Sequence, residues 1–551
     1  MDGPRPSLSI LAVRSLVCLF HGSLSDPSNV FLSMDPIAKG QRKEDPNPNP
    51  YEFDADIDTD GNGWMERDPT DEPRVRNQVR RYVEMESRRH QHVVVIGGGF
   101  AGRRAVRVLL NQGKGTTCTL VDEKGYFEFV PSNLRCLVEP QHAEKTVLPH
   151  RAPVHFRDRL GKWMKTWKSK KDPCPEPKEA NQFDTNRVKF LQGKATHIDF
   201  QKREVCVCST STASGRNKED TTVPYDYCIL CTGSTYANPI KGTSAGSQAA
   251  LECRKEEIRQ AARELAAATT VAVVGGGTVG VELAAEIAGA FPRQKQVTLI
   301  SGSARLLSRM PLAAGKYAES WLAHRGVSLL LGQQVSKEED SYLITTEGQK
   351  VHADVVYQCT GGQPVDELLQ GQKTTLQEDG KMYHAFCTGG CKVNPFLQLE
   401  SEGADGRVFV AGDCLPSGSS EKTAFMADLQ ATAAVENILS CQSGKSMVPF
   451  PQSVCFGKTA APRLAFVSLY KYSGIFQMND IVIGGPLAAL GKYVLEWLQL
   501  KTAQERILSH GIFSALEAAS VFTAVTLFGK KEKAMPCGSS NVTDRPCLAA
   551  M

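Results

Sequence analysis

Two stretches of this chain repeat one pattern of apolar runs and glycines. His92 to Ile96 (HVVVI) is a short β-branched run of the kind buried on both faces of a parallel sheet. Gly97, Gly99 and Gly102 follow at once in the spacing GxGxxG, then the helical pattern Arg103 to Asn111. A second apolar strand, Cys118 to Val121, ends in Asp122. The later stretch opens with Val271 to Val274 (VAVV), continues through Gly275, Gly277 and Gly280, and closes with the helix Val281 to Ala290 and the strand Val297 to Ile300. Each stretch is a complete strand–turn–helix–strand unit.

The chemistry expected of such a unit follows from its glycines. The first permits a tight turn, the second lets the backbone approach a pyrophosphate, and the third allows close packing of helix on strand. The helix N-terminus then offers amide donors to the anion. Asp122 stands where a carboxylate accepts hydrogen bonds from an adenosine ribose. The second unit has Ser301 there, with Gly302 and Ser303 after it and Arg305 close by. An acid would favour NADH and repel a 2′-phosphate, whereas small residues and an arginine tolerate or bind one. The second unit is therefore expected to accept NADPH, alone or alongside NADH, with Arg305 read either as a phosphate partner or as an ordinary surface charge.

Three further strands end in glycine turns. Tyr227 to Cys231 leads to Thr232 and Gly233, Val355 to Cys359 leads to Thr360 and Gly361, and Val408 to Ala411 leads to Gly412 and Asp413. A Gly-Asp turn beside a flavin lets the carboxylate hold a ribityl hydroxyl while the next helix, Ala424 to Leu439, points its N-terminus at the ring. The order of these signals predicts an α/β protein with two Rossmann-type dinucleotide-binding domains, the first interrupted by the second. The expected boundaries are an N-terminal extension (1–90), an FAD-binding domain in two parts (91–240 and 362–440) and an NAD(P)-binding domain (241–361). A small C-terminal α+β segment (441–510) and a tail (511–551) follow.

Composition narrows the function classes. A net charge of +4 on 551 residues is too small to argue for a nucleic-acid partner. Seventeen cysteines without a framework read as reduced thiols. Cys228 and Cys231 form a CxxC on a strand, where residues three apart face opposite ways, so they read as core. Cys387 and Cys391 lack a matching ligand pair and argue weakly for metal.

The first thirty or so residues are serine-rich with Arg5 and Arg14, which fits either a transit peptide or a plain extension. Asp58, Asp60, Asn62 and Gly63 open like a calcium loop, but Pro69 stands where a bidentate Glu is needed, so a solvated linker is expected. No run of about 20 uninterrupted apolar residues appears. Phe156 to Lys171 is a basic amphipathic stretch, and Leu487 to Leu500 leads into the apolar Gly511 to Phe528, interrupted by Glu517. Both regions, 156–171 and 487–528, suit either a membrane surface or packing on the body. Cys547 is one residue out of place for prenylation.

Together VVVIGGGFAG, TLVDEKGYF, ILCTGSTY, VAVVGGGTVGVELAAEI, VTLIS, HRGVSLLLG and VFVAGDC resemble the glutathione-reductase-like two-dinucleotide flavoproteins. Within them the chain looks most like the ferroptosis-suppressor-like branch of the apoptosis-inducing-factor family, FAD-dependent NAD(P)H:quinone reductases related to type II NADH dehydrogenases. The resemblance runs from about His92 to about Leu500. It implies FAD at Gly97, Gly99, Gly102, Asp122, Arg135, Thr232, Gly233 and Asp413, and the nicotinamide nucleotide at Gly275, Gly277, Gly280 and Glu282. Gly361 and Gly412 belong to the matching turns. Glu282 matches a glutamate near the nicotinamide, and otherwise compensates a helix dipole. Lys422 matches a lysine beside the flavin, where a cation stabilises charge on the ring or its acceptor, and otherwise is a surface lysine before a helix. Two departures stand out: with Met1-Asp2 the branch's myristoylated N-terminus is not expected, and the paired glutamines of type II dehydrogenases are missing.

The expected chemistry is direct hydride transfer from nicotinamide to flavin, then to a quinone-type acceptor at a membrane surface, without a thiol relay. A cytoplasmic, membrane-associated location goes with that reading, a mitochondrion or plastid with the transit-peptide one. Two rivals are a soluble reductase of ferredoxin or monodehydroascorbate, and a slow flavoprotein that works mainly by partner binding. No motif speaks for an oligomeric state.

Overall fold

The computed structural model describes residues 91–113, 115–150, 187–209, 220–242, 250–369, 373–378, 381–386, 389–416, 421–504 and 507–526. The expected transit peptide, calcium-like loop, basic stretch 156–171, Cys387 and Cys547 lie outside them.

In the first unit β1 (His92–Ile96) is followed by α1 (Phe100–Gln112), β2 (Thr117–Asp122), β3 (Val188–Asp199) and β4 (Tyr227–Leu230). β1 lies between β2 and β4 and is parallel to both. Val93 to Ile96 are buried almost completely, which is why the run is apolar at every position rather than at alternate ones. The second unit repeats the arrangement with β5 (Thr270–Val274), α2 (Thr278–Ala290), β6 (Gln296–Ser301), β7 (Ser328–Leu331) and β8 (Val355–Gln358). Its parallel order is β7, β6, β5, β8.

After the second unit the chain returns to the first. β9 (Val408–Val410) pairs in parallel with β4, so that Val408 faces Cys228 and Val410 faces Leu230. A sheet begun before residue 231 is thus completed after residue 407. α3 (Ala424–Gln442) then packs along α1 through Ala427, Ala431 and Ala434, small residues that let two helices approach closely. Cys228 belongs to the core on one face of this sheet, with Val94 and Ile96, and Cys231 to the core on the other, with Val93 and Val95.

The C-terminal segment is an antiparallel sheet of β10 (Leu464–Leu469), β11 (Ser473–Met478) and β12 (Ile481–Gly484), followed by α4 (Pro486–Ala503) and α5 (Ile507–Thr526). β10 buries Val467 and Leu469 against the same core as α2. Among the described residues no helix is long and apolar enough to cross a membrane. α5 lies on the body, with Val521 and Val525 against Leu429 and Cys455. Glu517, which interrupts the apolar run in sequence, forms an ion pair with Arg104 of α1. Of the two readings for this stretch the described part follows the packed one, although Ile512, Leu516 and Phe522 stay exposed.

Candidate functional site

The two glycine turns are near copies in space. Gly97 and Gly275 have φ of +104° and +124°, a region closed to most side chains. A Cβ on either would overlap the carbonyl oxygen at the end of the neighbouring strand, Cys231 or Cys359. One on Gly102 or Gly280 would overlap the carbonyl oxygen of Gly97 or Gly275. Gly99 and Gly277 differ: a Cβ there would meet nothing within 4 Å. At the outer and inner glycines the protein itself fills the space, and at the middle one the space lies open at the start of a helix.

Neither α1 nor α2 has a side-chain cap at its N-terminus, whereas Thr423 caps α3 by accepting from Met426 N at 3.1 Å. The first amides of α1 and α2 are left without a side-chain acceptor, which leaves them open to an anion.

At the end of β2, Asp122 Oδ1 accepts from Lys124 N at 2.8 Å and Oδ2 from Gly98 N. Burial pushes its pKa up, but His150 and these amides outweigh that and hold the carboxyl below its usual range. At the far end of the same sheet Gly412, with φ +91°, donates to the buried Gln430 Oε1 at 2.8 Å. Asp413 Oδ2 accepts from Ser234 Oγ at 3.0 Å. Thr232 Oγ1 donates to Val365 O at 2.6 Å, and Gly233 and Gly361 have φ of +77° and +113°. Lys422 is half-buried, and its Nζ donates to the carbonyls of Asp413, at 2.6 Å, and Leu415. It braces the Gly-Asp turn and is no free surface lysine. Lys241, which no motif singled out, donates to Ser234 O beside Gly233, and burial lowers its pKa.

Arg135 and Glu282 both line a cavity of about 350 Å³ between Pro131–Arg135, α2 and the C-terminal segment. Glu282 Oε1 accepts from Ser468 N at 2.6 Å and from Lys492 Nζ. One turn along α2, Glu286 Oε1 pairs with Arg135 Nη2 at 3.0 Å and accepts from Ser468 Oγ at 3.3 Å. The i, i+4 spacing of the two glutamates was visible in GVELAAE. The partners Lys492 and Ser468 were not, because they lie about 200 residues away in sequence.

Arg305 is tied to its own loop. Its guanidinium donates to the carbonyls of Leu307, Ser308 and Met310 at 3.1, 2.6 and 2.8 Å, stapling its own loop. Ser301 is 3% exposed at the end of β6. Cys136, after Arg135, is buried and donates to Ser132 O, and burial pushes its pKa to about 12. Among the described residues no group of three or more His, Cys, Asp or Glu is placed to hold a metal.

Residues 91–433 match the family model described as pyridine nucleotide-disulphide oxidoreductase. The chain belongs to that family. Its cofactors are FAD and a nicotinamide nucleotide, and the paired turns fit two dinucleotides. Among relatives, ferroptosis suppressor protein 1 of Mus musculus is 28% identical over 419 residues, covering 73% of this chain and 92% of that protein. This agrees with the branch that the motifs resemble. The structure of NDH2 from Plasmodium falciparum in complex with NADH gives a TM-score of 0.52 at 14% identity, over 80% of this chain and 99% of that one. The sulfide:quinone oxidoreductase of Aquifex aeolicus gives 0.51 at 18%, over 76% and 92%. These two likenesses show the shared fold of this pyridine nucleotide-disulphide oxidoreductase.

Proposed function

We propose that this oxidoreductase is an NAD(P)H:quinone reductase, in which bound FAD takes the hydride from the nicotinamide and hands its electrons to a quinone-type acceptor. FAD is assigned to the first unit, where Gly97, Gly99, Gly102 and Asp122 would hold the adenosine diphosphate end. Thr232, Gly233, Gly412, Asp413 and Lys422 would hold the ribityl and ring end. The nicotinamide nucleotide is assigned to Gly275, Gly277, Gly280 and Gly361. With Ser301 in place of an acid, neither NADH nor NADPH is repelled.

The observation that carries the acceptor reading is the cavity lined by Arg135, Glu282 and Lys492. Its wall is charged, while its surroundings expose Tyr472, Leu487, Leu490, Tyr493 and Trp497. An apolar rim suits a lipid-soluble ring and a membrane surface, and the charged wall suits an acceptor that gains negative charge and protons. Lys492 holds Glu282 to one side of the cavity and leaves an ammonium on its wall.

Anaerobic stopped-flow measurement tests this directly. NAD(P)H should bleach the flavin, and a short-chain quinone should reoxidise it faster than oxygen does. Quinone reoxidation no faster than that by oxygen would sink the proposal, and reoxidation by a ferredoxin alone would select the soluble alternative.

A further inference from the structure

His150 follows the short strand Val147–Pro149 and is buried beneath the first glycine turn, its side chain 1% exposed. Neither ring nitrogen has a partner at hydrogen-bond distance among the described residues, although Asp122 and the Lys124 backbone lie near enough to pull on the imidazole. A buried polar atom without a partner costs about 1–3 kcal/mol, so two on one ring call for a ligand-side explanation.

The ring is fixed by packing. A Cβ on Gly98 would lie 2.6 Å from His150 Cε1 and 2.8 Å from Nε2, and the Phe190 ring sits 5.0 Å away between centroids. Nε2 is 3.8 Å from Asp122 Oδ2. That is too long for a direct hydrogen bond and short enough for one oxygen atom to contact both groups. Burial drives the imidazole pKa down against the pull of Asp122, so a neutral ring with one donor and one acceptor faces the carboxylate. The second unit has no such arrangement at the matching place, where Gly276 abuts Ser301.

We propose that His150 is a recognition residue for the adenosine ribose of the dinucleotide in the first unit. One ribose hydroxyl donates to Asp122 Oδ2 and accepts from His150 Nε2. This rests on the assignment of FAD to that unit. His150 then leaves two nitrogens unsatisfied in the flavin-free chain, and flavin binding satisfies one of them.

The test uses the full-length chain, stripped of flavin and titrated with FAD and with analogues carrying 2′-deoxy- or 3′-deoxyadenosine. His150→Phe keeps the ring volume and should weaken FAD binding about tenfold or more. Wild type should lose a similar factor with one deoxy analogue, and His150→Phe should lose no further. Flavin-free His150→Phe should melt no lower than flavin-free wild type, a pattern that general damage would not give. His150→Gln restores a donor and should keep most of the affinity and the discrimination, which also covers the case in which the Phe variant does not fold. Unchanged FAD affinity in His150→Phe, an equal penalty for FAD and both analogues, or no discrimination in His150→Gln would overturn the proposal. Gly99→Leu separates the underlying assignment. If it keeps its FAD, the first unit is not the flavin site and both readings fall. If it loses FAD while His150→Phe does not, only the role of His150 fails.

Discussion

Glu517 Oε2 lies 2.9 Å from Arg104 Nη2, joining the last described helix to the first across 413 residues of sequence. The two side chains are 8% and 16% exposed. Removing Glu517 takes away the ion-paired partner of Arg104, and breaking a buried pair in this way costs up to about 3–5 kcal/mol. Glu517→Ala should therefore loosen α5, with faster amide exchange in 507–526. Exchange unchanged from wild type would show that α5 is held by its apolar contacts alone.

The same interface should make stability depend on pH. Burial, reinforced by Glu517, raises the Asp428 pKa to about 7, and burial raises Glu436 to about 7. Both carboxyls keep their protons in the folded protein where the unfolded chain has lost them, so their contribution falls as pH rises from about 4 to about 7. His510 works the other way below its ordinary pKa of 6.5, because burial drives it down to about 3. The readout is thus a comparison: Asp428→Asn with Glu436→Gln should remove the carboxyl slope in chemical denaturation between pH 5 and 7. A double variant with the wild-type slope would contradict these shifts.

In the cavity, Lys492 is the cation that accompanies Glu282. Lys492→Met should slow quinone reoxidation about 100-fold, as loss of one charge-stabilising group does, and leave flavin reduction by NADH within about twofold. Equal slowing of both half-reactions would place the lysine outside the acceptor step.

Nucleotide choice separates two residues that the sequence set side by side. Ser301→Asp should raise KM for NADPH at least about tenfold by charge repulsion with the 2′-phosphate, with little change for NADH. Arg305→Ala should lower Tm, since its donors hold the carbonyls of Leu307, Ser308 and Met310, and leave the NADPH preference intact. A selective loss of NADPH affinity in Arg305→Ala would restore it as a phosphate ligand.

The middle glycines offer a separate check on the two units. Gly277 has φ of −77°, which a side chain can adopt, and faces open space. Gly277→Val should fold and retain flavin, yet lose reduction by NAD(P)H. Retained reduction at wild-type rate would remove the nucleotide from that turn.

Local spacing determined most of the fold. β-branched runs, GxGxxG turns and Thr-Gly and Gly-Asp strand ends each describe contacts made within about 30 residues. A fully apolar strand or a glycine at positive φ is a constraint that a linear pattern can carry. The packed fate of α5, the staple made by Arg305, the bracing of Lys422 and the pairing of Glu282 with Lys492 were decided only in the folded chain. A charged side chain reaches 6 Å or so in any direction, and its partner depends on which distant backbone the sheets bring near. For the same reason His150 stood in no motif: its meaning lies in two unpartnered nitrogens and a carboxylate 3.8 Å away, relations that exist only in three dimensions.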